Sequence, residues 1–211
     1  MYTDHWDAVW NINDIDEYRT YLTKYNHTKS SMITTLHEYH ALKVCDAACG
    51  FGANSLALYS NGFDVYGFDV ADDAVAITSK LLSEYGLTEK RFKRADILET
   101  GYHDGEFDAV TAKSVLDHLT VKDCVQAVEE LARITRKSGL IYASFDPLED
   151  DDISLTHNVL DDGSFLYTDK KRSGLLFRFY SDDEIKDLFK NYKIILFEKD
   201  KRGNRHIIVK K

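Results

Sequence analysis

The sequence predicts an α/β protein: a doubly wound, mostly parallel seven-stranded sheet that ends in an antiparallel hairpin strand. Three observations predict it. From Ala41 to Phe145, short apolar runs rich in Val, Ile and Phe alternate with amphipathic stretches of helical period. Three successive runs lead into an acidic residue, Asp46, Asp69 and Asp96. The last two runs, Ile194–Phe197 and Arg205–Val209, are too close together for a crossover helix, so they must pair antiparallel.

Residues 14–40 carry a helical pattern, with Ile15, Tyr18, Leu22 and Tyr25 on one face. Ser30 or Ser31 is placed to cap a second helix through Leu36 and Tyr39. Together, residues 1–40 read as a helical cap. Ala41–Asp46 is the first strand and runs into the glycine loop AACGFG. A helix over Asn54–Ser60 stops at Asn61-Gly62. Strand Phe63–Asp69, helix Asp73–Tyr85 ended by Gly86, and strand Arg91–Ala95 follow. Phe107–Ala112 is the fourth strand. Lys122–Arg136 is an amphipathic helix with Val125, Val128, Leu131, Ala132 and Ile134 on its apolar side. Gly139 marks its stop and Leu140–Phe145 the fifth strand. The alternation then breaks: residues 146–178 are polar and Asp-rich. A connection of that length in a compact fold acts as a lid or binding loop. Ser181 caps the last helix, through Lys190, with Asp182, Asp183 and Glu184 in its first turn.

Composition excludes several function classes. The 211 residues hold 27 Lys+Arg against 36 Asp+Glu, a net charge of −9, so the chain lacks the broad positive surface that nucleic acids and anionic membranes need. Three cysteines do not make a disulfide framework, and the N-terminus shows neither a basic nor an apolar leader region. No run of about 18 apolar residues occurs. The expectation is a cytoplasmic protein, monomer or homodimer, with a small-molecule ligand.

The segment Val44-Cys45-Asp46-Ala47-Ala48-Cys49-Gly50-Phe51-Gly52 carries the sharpest signal. Its glycines let the backbone turn tightly against a ligand. Asp69, 17 residues beyond Gly52, is placed to accept both hydroxyls of a ribose. Asp96 is placed to meet an adenine amino group. A dinucleotide site would carry G-x-G-x-x-G, but Ser55 stands where the third glycine belongs. Asp46 in the loop would repel a pyrophosphate and suits an ammonium or sulfonium.

These stretches, with FDAVTAKSVLDHL and LARITRKSGLIYASF, resemble the class I S-adenosylmethionine-dependent methyltransferases over Leu42 to Phe145. The chain departs from that pattern at Ala48, where many members carry glycine, and at Ala47, where a large aliphatic is common. The resemblance implies one methyltransferase domain over residues 1–211, with S-adenosyl-L-methionine as cofactor. It implies that Asp46, Ala48, Gly50 and Gly52 hold the methionine end and Asp69 the ribose. Val70 and Ile97 would flank the adenine, Asp96 would bond its amino group, and Lys113 and Ser114 would offer backbone groups near the methionine carboxylate or sulfonium. His118 is the candidate general base for methyl transfer to oxygen or nitrogen; the other reading of His118 is a residue that bonds a nearby backbone carbonyl. Tyr18, among the N-terminal aromatics with Trp6, Trp10, Tyr21 and Tyr25, could close over the site; the other reading is that these rings pack an N-terminal helix on the core. Arg178, Arg202 and Arg205 would converge on a small anionic acceptor, or else form a solvated charged hairpin. No metal-ligand set is expected: Cys45 and Cys49 lack two further ligands, and the run Glu149–Asp152 reads as a solvated loop. The alternative functions are a nicotinamide-dependent oxidoreductase, and a protein that binds S-adenosylmethionine without turning it over.

Overall fold

A computed structural model describes residues 2–25 and 30–211, apart from the side chains of Tyr2, Thr3 and Tyr25. The place expected for Tyr25 on the apolar face of its helix therefore lies outside the described residues. Helices α1 (Tyr2–Val9), α2 (Ile15–Tyr25) and α3 (Ser30–Glu38) come first. Strand β1 (Lys43–Ala47), α4 (Ala53–Ser60), β2 (Asp64–Asp69), α5 (Asp72–Ser83) and β3 (Phe92–Arg94) form the first winding. Then come β4 (Phe107–Lys113), α6 (Val121–Ile134), β5 (Thr135–Phe145), α7 (Asp150–Ser154), β6 (His157–Val159), β7 (Phe165–Tyr167) and β8 (Leu176–Phe177). The chain closes with α8 (Asp182–Leu188), β9 (Lys193–Lys199) and β10 (Arg205–Lys210).

The main sheet has the order β3-β2-β1-β4-β5-β10-β9. All its pairings are parallel except those of β10, which is antiparallel to both β5 and β9. Alternate residues of the central strands serve two cores. Val44, Val65, Ala109 and Tyr142 pack with Leu22, Met32, Leu56 and Ile77 from α2–α5. Cys45, Val110, Ile141 and Ile207 pack with Leu131 of α6, Ile185 of α8 and Phe189 just after α8. Helices on both faces explain the continuous apolar runs: a parallel strand is buried on two sides. No helix among the described residues is long and apolar enough to cross a membrane.

Two expectations need correction. The helix expected through Arg136 ends at Ile134, where the Thr135 hydroxyl donates to the Leu131 carbonyl at 2.7 Å. Strand β5 begins there, not at Leu140, and Ser138 (φ +63°) and Gly139 bend it. Gly139 is pressed against the neighbouring strand, where a Cβ would lie 2.6 Å from the Asp108 carbonyl. Residues 146–178 are not a plain loop. They hold α7 and a three-stranded antiparallel sheet, β6-β7-β8, tied by the Arg172–Asp152 ion pair and by Tyr167 Oη donating to the Asp152 carbonyl at 3.0 Å.

Gly52 starts α4 at φ +88°, and a Cβ there would lie 2.7 Å from Leu82 Cδ1 on α5. Gly62 has a similar φ, +87°, but open space around it. Gly62→Ala should cost about 1 kcal/mol for the left-handed backbone alone. Gly52→Ala should cost about 2 kcal/mol or more, because buried Leu82 must also move; urea unfolding separates the two. A second test concerns Glu130 of α6, which accepts from the Thr100 backbone and hydroxyl and pairs with Arg133. These contacts lower its carboxyl from 4.5 to about 2, the Arg133 bond being the largest cause. A depressed carboxyl stabilises the fold fully above its unfolded value and loses that contribution as pH falls toward the folded one. Wild-type stability should thus fall between about pH 4.5 and 2 more steeply than that of Glu130→Gln, read by acid unfolding.

Candidate active site

The sheet reverses its direction of growth between β1 and β4, and such a switch point opens a crevice at the carboxyl ends of the strands. A cavity of about 440 Å³ lies there. Asp46, Asp69 and Asp96 line it from the ends of β1, β2 and the turn after β3.

Asp46 is 1% exposed. Its carboxylate accepts from Asn54 Nδ2 (2.6 Å) and Thr111 Oγ1 (3.0 Å) on one oxygen and from Ser55 Oγ (2.6 Å) on the other. Burial pushes this carboxyl up, and the three donors pull it back. Asp69 accepts from the backbone of Gly50 at 2.9 Å and of Ala71 at 3.1 Å. It too is raised by burial, against those same backbone donors. Asp96 is half-buried and accepts from the Leu98 backbone at 2.9 Å.

The glycine loop is built from left-handed residues: Ala48 at φ +55°, Gly50 at +54°, Gly52 at +88°. Its turn is fixed by Cys49 N donating to the Phe68 carbonyl (3.0 Å) and Thr78 Oγ1 to the Gly50 carbonyl (2.5 Å). Ala48 holds a conformation that costs a non-glycine residue about 1–2 kcal/mol. Gly50 lets Trp10 lie on the loop, its ring 3.1 Å from where a Cβ would be.

Ten of the residues named from sequence line this cavity: Asp46, Ala48, Gly50, Asp69, Val70, Asp96, Ile97, Lys113, Ser114 and His118. Gly52 does not; it stands behind the loop against α5. Tyr18 also lies outside, its ring packed on Trp10 and Phe51, while Tyr21, Trp6 and Trp10 reach the cavity. The backbone N–H of Ser114, which the resemblance offered to a ligand, donates instead to Ser144 Oγ at 2.9 Å.

A second recess of about 430 Å³ adjoins the first and shares Ser114 and His118 with it. Arg202 lines this recess, because β9 runs parallel to β5 and delivers the turn 200–204 to the ligand side. Arg178 and Arg205 do not converge there. Arg178 pairs with Glu184 at 2.8 Å, and buried Arg205 donates to the Tyr180 carbonyl at 2.8 Å. Arg172 does line the recess, already paired with Asp152.

His118 sits on a short helical turn (Leu116–His118) after β4. Its Nδ1 lies 2.9 Å from the Leu176 carbonyl of β8. A carbonyl only accepts, so Nδ1 carries the hydrogen and Nε2 of the neutral ring keeps a lone pair. This is the contact of the second sequence reading of His118, a residue that bonds a nearby backbone carbonyl. Beneath it, Asp117 is fully buried, accepts from the Asp146 backbone at 2.7 Å, and is pushed up by burial.

Sequence reasoning missed Asn54, Ser55 and Thr111, the partners of Asp46. Their signal was available: two small polar residues opening the helix after the loop, and a threonine one strand over on the same face. It also missed Asp146 in the second recess, since nothing in residues 146–178 fixes a period.

Residues 44–139 match the family model described as a methyltransferase domain. The chain is 27% identical over 149 residues to the putative methyltransferase YqeM of Bacillus subtilis, covering 68% of this chain and 56% of that protein. It is 30% identical over 109 residues to a magnesium-protoporphyrin O-methyltransferase of Synechocystis, covering 50% and 45%. The chain thus spans about half the length of these curated relatives. A crystal structure of a methyltransferase from Methanosarcina mazei superposes with a TM-score of 0.69 at 22% identity, over 84% of this chain and 96% of that one. The fold is thus the Rossmann-like fold of the class I S-adenosylmethionine-dependent methyltransferases, and residues 44–139 are similar to a methyltransferase domain.

Proposed function

We propose that the protein binds S-adenosyl-L-methionine in the larger cavity and transfers its methyl group to an oxygen or nitrogen of a small molecule held in the adjoining recess. The observation that carries this is the meeting of three carboxylates at three successive strand ends around one cavity, with Ser114 and His118 on the border of the second. The residues present fit such a cofactor. The cavity volume lies within the roughly 300–1,000 Å³ of small-molecule sites. Asp69 accepts from the backbone on both oxygens, and a carboxylate with about four lone-pair sites still has room to accept from a hydroxyl. Asp69 would hold the ribose, Asp96 the adenine amino group with Val70 and Ile97 beside the ring, and Asp46 with the glycine loop the amino-acid end. Trp10 and Tyr21 offer aromatic faces to a sulfonium.

When bound, the sulfonium supplies an already activated methyl group. The chain's own work is alignment and exclusion of water. His118, held by Leu176, keeps Nε2 free to take the proton of a hydroxyl or amine acceptor. Residues 1–40 and 146–178 act as cap and lid: His5 Nδ1 meets the Ser173 carbonyl at 2.9 Å, and Trp6 packs edge-on against His118 at 5.3 Å. The acceptor is anionic in this reading. Among the described residues lining the recess, Arg202 is the arginine whose guanidinium has no carboxylate partner.

Calorimetric titration with S-adenosylmethionine tests the core of the proposal. Wild type should bind, and Asp69→Asn should bind at least about tenfold more weakly. No binding by wild type would overturn the proposal. The raised Asp69 carboxyl also sets a pH dependence. A protonated oxygen no longer accepts, so affinity should fall as pH is lowered, starting above the ordinary carboxylate range, and Asp69→Asn should flatten that fall. For the acceptor, small carboxylates, phosphates and phosphonates can be screened by release of S-adenosylhomocysteine. Arg202→Ala should raise the acceptor KM about tenfold, and Arg178→Ala should leave it unchanged because Glu184 already holds that side chain.

A further inference from the structure

The smaller recess has a charge pattern that an acceptor with an acid group alone leaves half unmatched. Its walls include the carboxylates of Asp146, Glu149 and Asp152 and the guanidiniums of Arg172 and Arg202. Asp152 is taken by Arg172, and Glu149 is exposed to solvent. Asp146 is half-buried and, among the described residues, makes no ion pair. It is also fixed in place. Its backbone N–H donates to buried Asp117 at 2.7 Å, and one carboxylate oxygen accepts from Ser114 Oγ at 3.0 Å. Ser114 sits at φ +49°, a left-handed backbone that a serine adopts only where its surroundings hold it. A carboxylate has about four lone-pair sites, so the Ser114 hydroxyl leaves Asp146 room to accept from a ligand.

The cation on the other wall rides on a fixed turn. Asp200 accepts from the backbone N–H of Arg202 at 2.8 Å and of Asn204 at 3.0 Å, and from Asn204 Nδ2 at 2.9 Å. His206 Nε2 lies 3.4 Å from the same carboxylate, and its Nδ1 lies 2.8 Å from the buried Tyr142 hydroxyl. The turn is thereby tied to β5 and β10. Leu175 and Phe177 add apolar wall. Charges held on fixed backbone favour a ligand that matches both of them. We propose that the acceptor carries an ammonium as well as an acid group, on an apolar body: its ammonium meets Asp146, beside Ser114 and His118 at the border of the two chambers, and its acid group meets Arg202. The acceptor class is then an amino acid rather than a simple acid. The inference rests on the reading of this recess as the acceptor site.

The test is calorimetric titration of wild type saturated with S-adenosylhomocysteine. The probes are leucine, phenylalanine and γ-aminobutyrate, each with its deaminated acid and its decarboxylated amine. At least one amino acid should bind about tenfold more tightly than both of its truncated partners. Asp146→Asn should erase the advantage over the deaminated acid, without weakening that acid and with S-adenosylhomocysteine affinity kept. Asp146→Glu should retain part of the advantage, and Arg202→Ala should erase the advantage over the amine. Equal binding of amino acids and deaminated acids to wild type would overturn the proposal, as would binding of none of the probes. Equal weakening of amino acid and deaminated acid in Asp146→Asn would also overturn it. If Asp146→Asn does not fold, the wild-type comparison decides by itself. Failure of wild type to bind S-adenosylhomocysteine is a separate result: it removes the reading of the larger cavity and this proposal with it.

Discussion

The carboxylate of Asp46 is the constraint from which the rest of the site follows. An ion removed from water at the end of a central strand costs several kcal/mol unless its oxygens are satisfied. Here the satisfaction comes from two other elements: Asn54 and Ser55 at the start of α4, and Thr111 on β4. Those bonds fix where α4 begins, and so where the glycine loop must turn. The loop, held there, presents Gly50 N to Asp69 and thereby ties the end of β1 to the end of β2. One buried charge thus organises three strand ends. The left-handed backbone at Ala48, Gly50 and Gly52 is the conformational cost of that arrangement.

Around this floor the walls are aromatic and come from distant parts of the chain. Trp10 lies on the glycine loop with Phe51 and Tyr18 behind it, and Trp6 reaches across to His118. The opposite side of His118 belongs to β8, through the Leu176 carbonyl. A single imidazole is therefore gripped by the first helix and by the small second sheet. His5 and Ser173 close the same bridge at the surface.

Much of the fold was legible because parallel α/β architecture writes a strong local signal. Strands buried on both faces are continuous apolar runs, the glycines after β1 and after α4 are punctuation, and the seven main strands follow. The exceptions are physical. The stop expected at Gly139 failed because Gly139 bends a strand rather than ending a helix; the space it saves is against Asp108, which no local pattern reveals. Residues 146–178 were opaque because β6, β7 and β8 are two or three residues long and are held by tertiary pairs such as Arg172–Asp152. In the site, acidic residues at strand ends could be read from position. The fate of Arg178 and Arg205 could not, since both bond groups remote or close in sequence alike, Glu184 and the Tyr180 carbonyl. Tyr18 was placed on the correct side of the molecule but one layer too far in.

The antiparallel course of β10 has a consequence for how such a chain can diversify. The strands and turns that floor the larger cavity lie within residues 44–139, the span that the family model matches. The smaller recess draws most of its walls from residues 146–177 and from the turn 200–204, which reaches the same edge only because β9 and β10 form a hairpin. Surface turns and a short-stranded sheet tolerate insertion and exchange far better than a buried strand end does. Among the described residues the two chambers share only Ser114 and His118, so the outer one is free to drift toward new chemistry while the inner one stays under fixed demand.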